Sequence, residues 1–167
     1  MLIPLCSCVF VLSLISRNKY QKRILLITDH HILCLWADRG RPLRRSIPIA
    51  SLRYVSLSRQ SADLLVLHVQ DAYDYLLISN KRTEIMFHLL QLTSKISGGT
   101  KTLAYKYGER VYVSDRDRKH RDVQVHEDGI TLGEGSFRPH HAPQDEAEIR
   151  AMQQQTQQQQ QPRISDS

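Results

Sequence analysis

Short apolar segments separated by polar turns fill the chain from about residue 9 to residue 80, and a segment with helical period follows them. Residues 24–28 and 32–36 flank the polar turn 29–31, and residues 64–69 and 73–78 flank a second turn; each pair has the pattern of a β-hairpin. This order predicts a mostly β domain of about seven strands, arranged as a small barrel or sandwich and closed by one C-terminal amphipathic helix.

The change of period after residue 78 marks the predicted helix. Asn80 is placed to cap a helix that begins near Lys81, with Glu84 in its first turn. Apolar residues then recur at helical spacing, and residues 97–99, Ser-Gly-Gly, end the helix. Its predicted core positions are Ile85, Met86, Leu89, Leu90, Leu92 and Ile96.

The part of the chain after the helix is expected to add a small β extension. Residues 102–107 and 110–114 have weaker strand patterns, and residues 123–132 could complete a further hairpin. From residue 153 to 161 every residue except Thr156 is glutamine, a composition that cannot bury enough apolar surface to fold. The predicted organisation is an apolar segment 1–8, a core 9–97, a β extension 98–138 and a disordered tail 139–167.

The apolar N-terminus allows two interpretations. Residues 2–15 are too few for a membrane-spanning helix, which needs about 20 apolar residues. A signal peptide would need a basic segment ahead of the apolar run, and none precedes Leu5. The β-branched and aromatic residues 9–12 favour a buried strand, and a signal peptide or anchor remains the alternative.

Positive charge is concentrated in residues 17–59. This segment has ten Lys and Arg residues against Asp29 and Asp38, a net +8, in a chain whose total is +6. A basic face on a rigid β scaffold predicts a polyanionic partner, such as acidic lipid, nucleic acid or an acidic protein surface.

Residue patterns that would indicate catalysis or a cofactor are missing from the sequence. There is no Gly-rich phosphate loop, and no nucleophile has a base placed beside it by the sequence. His68 on an apolar strand is interpreted as a hydrogen-bonded core residue, and Asp71 and Asp74 as a solvated turn. We therefore expect a non-enzymatic protein with no cofactor, no metal and no small-molecule substrate.

Six segments resemble, in order, the tail homology 1 domain of class I myosins, which has a pleckstrin-homology-like fold. The resemblance covers roughly residues 9–135, and its segments are residues 19–29, 45–49, 55–58, 63–69, 73–76 and 81–84. It implies a tail module that docks on acidic phospholipids, often phosphoinositides, and associates with actin or a myosin complex. It also implies a cytoplasmic location at membranes and the cytoskeleton.

The resemblance implies particular headgroup-binding residues. Arg23 matches the family's phosphate-binding arginine, and Lys19 and Lys22 are expected in the loop before the second strand. Arg17 or Lys19 is expected near the position of the family's first-strand lysine. Gln21 departs from the family's Arg-x-Arg pattern, so headgroup specificity is left open. A supporting basic face is expected from Arg39, Arg41, Arg44 and Arg45, on a side of the barrel that the sequence does not define.

No motor domain is present in these residues, so the chain is either a stand-alone tail-like protein or part of a longer one. Two other functions remain alternatives, a protein-interaction adaptor and a nucleic-acid binder using the same basic face. The second is unlike single-strand binders because only Tyr20, Trp36 and Tyr54 lie among the cations.

Overall fold

The structure is a computed structural model that describes residues 7–15 (backbone only), 19–37, 43–116, 119–133, 150–151 and 153–154. Eight strands form the larger sheet, in the order β4-β3-β2-β1-β7-β6-β5-β8. Their bounds are β1 Ser7–Ile15, β2 Lys19–Ile27, β3 His31–Trp36, β4 Leu43–Pro48, β5 Leu52–Ser58, β6 Leu64–Val69, β7 Tyr75–Ile78 and β8 Ala104–Gly108. A single 3-10 turn, Ile49–Ser51, connects β4 to β5.

Seven strands precede the helix, as the sequence predicts, but they do not close into a barrel. In the described part of the chain β4 and β8 are the two edges of an open sheet, because β4 pairs with β3 alone and β8 with β5 alone. The eighth strand comes from the predicted extension and pairs in parallel with β5. The expected barrel or sandwich of about seven strands is therefore confirmed only as a mostly β fold with one helix, and the larger sheet has eight strands and no closure among the described residues.

The apolar N-terminal run forms a strand over the residues described. Along its whole length β1 pairs antiparallel with β2, and Leu12 and Ser13 also pair with β7. Among residues 7–15 the strand interpretation is thus the one observed, and residues 1–6 lie outside the described range. The described residues include no helix with the length and apolar character needed to cross a bilayer.

Helix α1, Arg82–Ile96, packs on the larger sheet through Ile85, Met86, Leu89 and Leu92, as its period predicts. Two details differ from expectation. The cap position is Lys81 and no side chain caps it, so Asn80 does not have the predicted role. Ile96 is exposed, because the last turn extends past the edge of the core.

A second sheet of three strands, in the order β11-β10-β9, covers the outer side of β6 and β7. Its strands are β9 Val111–Ser114, β10 His120–His126 and β11 Gly129–Leu132. Every residue of β6 is buried, because Leu65 and Leu67 face α1 while Leu64 and Val66 face the three-stranded sheet. The predicted extension thus divides, with β8 in the larger sheet and β9–β11 in the smaller one.

Tyr20 links the two sheets directly. Its hydroxyl donates to the carbonyl of Ile130 in β11 and accepts the Ile130 N–H at 2.6 Å. Gly129 lies under the same ring, and an added Cβ there would be 3.0 Å from the Tyr20 oxygen. The outer side of β2 therefore contacts the smaller sheet at the point where the strand begins.

Candidate anion-binding site

The predicted headgroup residues lie within a strand rather than in the loop before it. Strand β2 already begins at Lys19, so Lys19, Lys22 and Arg23 alternate between its two faces. Lys19 and Arg23 share the face that continues into the core through Leu25, whereas Lys22 lies on the face of Tyr20. Lys22 and Arg23 were expected to converge in one loop. Because they are consecutive residues of a strand, their side chains lie on opposite faces instead.

Arg23 is a buried cation with an incomplete set of partners. Only 3% of its surface is exposed, and its guanidinium carbon lies 3.7 Å from the centroid of the Trp36 ring. Trp36 pairs with Arg23 across β2 and β3, which explains the stacking. One terminal nitrogen, Nη2, donates to the side chain of Gln21, while Nη1 is buried and has no hydrogen-bond partner among the residues that the structure describes.

Arg44 and Arg45 bring further positive charge to the same region from β4. The guanidinium of Arg44 lies 5.9 Å from the Trp36 ring, on which Arg23 also stacks. Arg45 lies 3.7 Å from the Tyr73 ring and donates to the Tyr73 carbonyl at 2.5 Å. Strands β2 and β4 and the β6–β7 turn therefore contribute to one basic region.

Arg45 is also partly desolvated. Burial lowers the pKa of Arg45, while Tyr73 and Cys34 act in the opposite direction. Because an arginine side chain stays protonated in proteins, the consequence is a poorly solvated cation rather than a neutral group. Its Nη1 atom, like that of Arg23, is buried without a hydrogen-bond partner.

Three of the eight predicted basic residues, Arg23, Arg44 and Arg45, meet here, and three lie outside the described range. Lys19 is exposed on the same face of β2, four residues before Arg23, and we refer to these four residues as the anion site. Lys22 lies on the other face of β2. Arg17, Arg39 and Arg41 are among the residues that the structure does not describe.

Arg116 was not among the predicted site residues, yet it lies beside this region. Its guanidinium is 5.2 Å from the ring of Tyr73, on which Arg45 also stacks. The sequence placed Arg116 in a mixed-charge run, and nothing in that run indicates a contact with a turn more than 40 residues earlier. Only the docking of the smaller sheet brings it there.

A serine, a histidine and an aspartate form a hydrogen-bonded chain elsewhere in the molecule. Ser56 Oγ is 2.8 Å from His68 Nε2, and His68 Nδ1 is 2.9 Å from the Asp74 carboxylate. The arrangement resembles a hydrolase triad, but Ser56 is buried, so a substrate cannot approach its hydroxyl.

This chain of hydrogen bonds instead joins elements of the fold. The Asp74 carboxylate accepts the Ser114 N–H at 2.8 Å, which ties the β6–β7 turn to β9. His68 is a hydrogen-bonded core histidine, as predicted. Asp74 was expected in a solvated turn, and that expectation was wrong because the turn folds back over His68.

An open β-sheet with one packed helix and a basic region on strands β2 and β4 has the features of an anion-binding module. The family model for the unconventional myosin tail, described as actin- and lipid-binding, matches residues 5–146. The chain therefore belongs to the unconventional myosin tail family, as its resemblance predicted, and is a non-catalytic module of that family. Membership associates it in general terms with lipid membranes and actin.

Two further comparisons describe what the chain is similar to. It is 29% identical over 106 residues to the Myosin IA heavy chain of Dictyostelium discoideum, a match that covers 59% of this chain and 11% of that protein. It also aligns with the crystal structure of the N-terminally truncated linker-DH/PH domains of p115-RhoGEF. That alignment has a TM-score of 0.44 and 15% identity, and covers 56% of this chain and 30% of the other.

Proposed function

We propose that this chain docks on membranes by binding the phosphate groups of acidic phospholipids at the anion site. The observation that carries the proposal is Arg23, a buried cation whose Nη1 donor has no hydrogen-bond partner. A buried, unpartnered charged donor is costly, and a structure that keeps one usually has a reason to do so. A phosphate oxygen that reaches Arg23 would supply the missing acceptor. Because only 3% of Arg23 is exposed, this requires the side chains that cover it to move aside on contact with the membrane.

Phosphate suits the chemistry of these four side chains. Arginine forms short, charge-assisted hydrogen bonds to phosphate oxygens and can present two donors at once. Trp36 and Gln21 hold the Arg23 guanidinium in one orientation, so less side-chain entropy is lost on binding. Lys19, on the same strand as Arg23, and Arg44, on β4, are exposed and add charge without being fixed.

The strength expected from this site is moderate. Each Lys or Arg near an anionic bilayer contributes about 1 kcal/mol, so four cations give reversible binding that weakens as salt increases. Phosphoinositides are the favoured lipids, because a headgroup with several phosphates can meet Arg23 and Arg45 together. Gln21, where the family pattern has arginine, reduces the expected selectivity between phosphoinositides.

In the cell this function makes the chain a peripheral membrane module of the class I myosin type. It would link actin or a myosin complex to acidic membranes on the cytoplasmic side. Motor activity in such a complex would require a head domain that these residues do not contain. The folded module proposed here extends through the β extension.

Neighbouring residues on opposite faces of β2 provide a matched test. Arg23→Gln and Lys22→Gln remove the same charge from adjacent positions. Binding is measured by co-sedimentation with phosphatidylcholine vesicles containing phosphatidylserine or a phosphoinositide, at low and physiological salt. We expect Arg23→Gln to weaken binding at least tenfold and Lys22→Gln less than threefold.

Two results would contradict the proposal. Equal effects of the two substitutions would mean that total charge, and not the anion site, determines binding. Full retention of binding by Arg23→Gln would remove Arg23 from the site. Circular dichroism of each variant establishes that the fold is retained, and heparin competition detects a general polyanion binder.

A further inference from the structure

A second basic surface lies at the other end of β6 from the anion site. Tyr107, at the end of β8, is 48% exposed and lies between two arginines. The guanidinium carbons of Arg59 and Arg82 are 5.4 and 5.6 Å from its ring centroid. We call these three residues the Tyr107 surface.

The charge of the Tyr107 surface is not neutralised by nearby carboxylates. Neighbouring cations on the same side of the fold are paired, Lys81 with Glu84 at 2.8 Å and Arg110 with Asp122 at 3.3 Å. In contrast, neither Arg59 nor Arg82 forms an ion pair with any residue in the described ranges. The two unpaired guanidinium groups therefore give this surface a local positive potential.

One side of the surface is rigid. Arg82 Nη1 donates to the backbone carbonyls of Ser58, Ser61 and Leu64, at 2.9, 2.9 and 3.2 Å, so it fixes the β5–β6 loop. The Arg59 N–H donates to the Gly108 carbonyl at 2.9 Å, which holds the loop against the end of β8. The exposed Tyr107 ring and the Arg59 guanidinium are thus presented on an ordered support.

The Tyr107 surface and the anion site are too far apart to act as one site. The β5–β6 loop precedes Leu64, whereas the turn containing Tyr73 follows Val69, at the opposite end of β6. At about 3.4 Å per residue, this strand separates the two ends by about 17 Å. A partner bound at Tyr107 therefore leaves uncovered the turn of Tyr73, on which Arg45 of the anion site stacks.

We infer that the Tyr107 surface binds an acidic protein surface, and that the actin filament is its partner. Tyrosine and arginine are the residues most enriched at the energetic centres of protein interfaces, and a planar guanidinium pairs well with carboxylates. The family description gives both actin and lipid as partners, and two separate surfaces allow both to be held at once. This module would then bridge filament and membrane without a second domain.

Charge reversal at Arg59 tests the inference, with Lys101→Glu as the matched control because Lys101 is exposed near the other end of β8. The full chain is co-sedimented with actin filaments at 50 and 150 mM salt. We expect Arg59→Glu and Tyr107→Ser each to weaken filament binding at least fivefold, and Tyr107→Phe and Lys101→Glu less than twofold. Binding of the same variants to phosphatidylserine vesicles should stay within twofold of the unaltered chain.

The possible contrary results are distinct. Equal weakening by Arg59→Glu and Lys101→Glu, or no filament binding by the unaltered chain, overturns the inference and leaves lipid binding untouched. Loss of vesicle binding in Arg59→Glu would assign the surface to the membrane and also overturn it. Failure of Arg23→Gln to weaken vesicle binding bears on the anion site alone, because that residue is remote from Tyr107.

Discussion

The Arg23 guanidinium stacks on the Trp36 ring, with its carbon 3.7 Å from the ring centroid, and it does so at the deepest point of the basic region. Trp36 is the only tryptophan in the chain. The fluorescence of an indole ring changes when the cation stacked on it binds an anion. Since Trp36 is the only fluorescent indole, the tryptophan emission of the protein reports on the anion site alone.

We expect the emission of Trp36 to change when acidic vesicles are added. A phosphate that engages Arg23 alters the charge beside the indole ring, and contact with the bilayer lowers its exposure to water. Titration with phosphoinositide vesicles should therefore give a saturable change in intensity or wavelength, which increasing salt abolishes. Vesicles of phosphatidylcholine alone should give none.

The variant Arg23→Gln is the control for this titration. It should lose the saturable change while the unfolding transition of the variant remains cooperative. An unchanged titration in this variant would show that the fluorescence reports on membrane proximity rather than on the anion site.

Removing the hydroxyl of Tyr20 should loosen the contact between the two sheets. Tyr20→Phe deletes both hydrogen bonds to the Ile130 backbone and leaves the ring in place. Tyr20 is 42% exposed, but its hydroxyl bonds the backbone of the buried Ile130, and two such hydrogen bonds contribute about 1–2 kcal/mol. We expect urea unfolding to show this decrease in the free energy of unfolding, and the Ile130 amide to exchange its hydrogen faster.

The matched change Tyr107→Phe removes a hydroxyl from an exposed tyrosine and should shift the free energy of unfolding by less than about 0.5 kcal/mol. If the two variants were equally stable, the Tyr20 hydroxyl would not contribute to the contact between the sheets.

Asp74→Ala should be among the most destabilising single substitutions outside the apolar core. It deprives the buried His68 ring and the Ser114 N–H of their acceptor. Because two donors in a poorly solvated site would lose their acceptor, we expect the free energy of unfolding, measured by chemical denaturation, to decrease by about 2–4 kcal/mol. Asp63→Ala, at an exposed aspartate, is the control and should be nearly neutral.

Cys34 should resist alkylation in the folded protein. Burial raises the pKa of the Cys34 thiol to about 11 from the ordinary value of 9.0. At pH 8 its thiolate fraction is therefore about 100-fold lower than that of an exposed thiol. Mass spectrometry after iodoacetamide treatment should find Cys34 unmodified until a denaturant is added, and rapid modification under native conditions would contradict its burial.

The same shift makes stability depend on alkaline pH. Because the folded-state pKa is raised, the folded protein keeps the thiol proton while the unfolded chain loses it above pH 9. The contribution is fully present below pH 9 and decreases by up to about 1.4 kcal/mol per pH unit between 9 and 11. Relative to Cys34→Ala, whose side chain does not titrate, the unaltered protein should lose stability across that interval.

Periodicity predicted the order of the elements because it depends only on neighbouring residues. The strands, the apolar face of α1 and the core role of His68 all follow from local patterns. The partners of β8 could not be predicted, because a parallel pairing with β5 is decided by a contact across about 50 residues. For the same reason no local pattern indicates that Arg116 lies beside Tyr73.

The candidate site was predicted in part. Arg23 could be singled out by its place before an apolar run, and the structure puts it at the centre of the basic region. Lys22 was grouped with it because both were assigned to a loop, where direction is not fixed. Because the strand begins at Lys19, successive side chains alternate between its two faces, and Lys22 lies on the face opposite Arg23. The start of the strand, and not the lysine itself, decides on which face Lys22 lies.

The double burial of β6 sets a minimum length for any working version of this tail. Leu64, Val66 and Leu76 are covered by β9–β11, so a chain cut after α1 would expose an apolar sheet face to water. Such a truncated chain should aggregate rather than bind lipid more weakly. Dissection of the tail must therefore keep residues through Leu132, and a lost activity in shorter fragments would say nothing about the binding surfaces themselves.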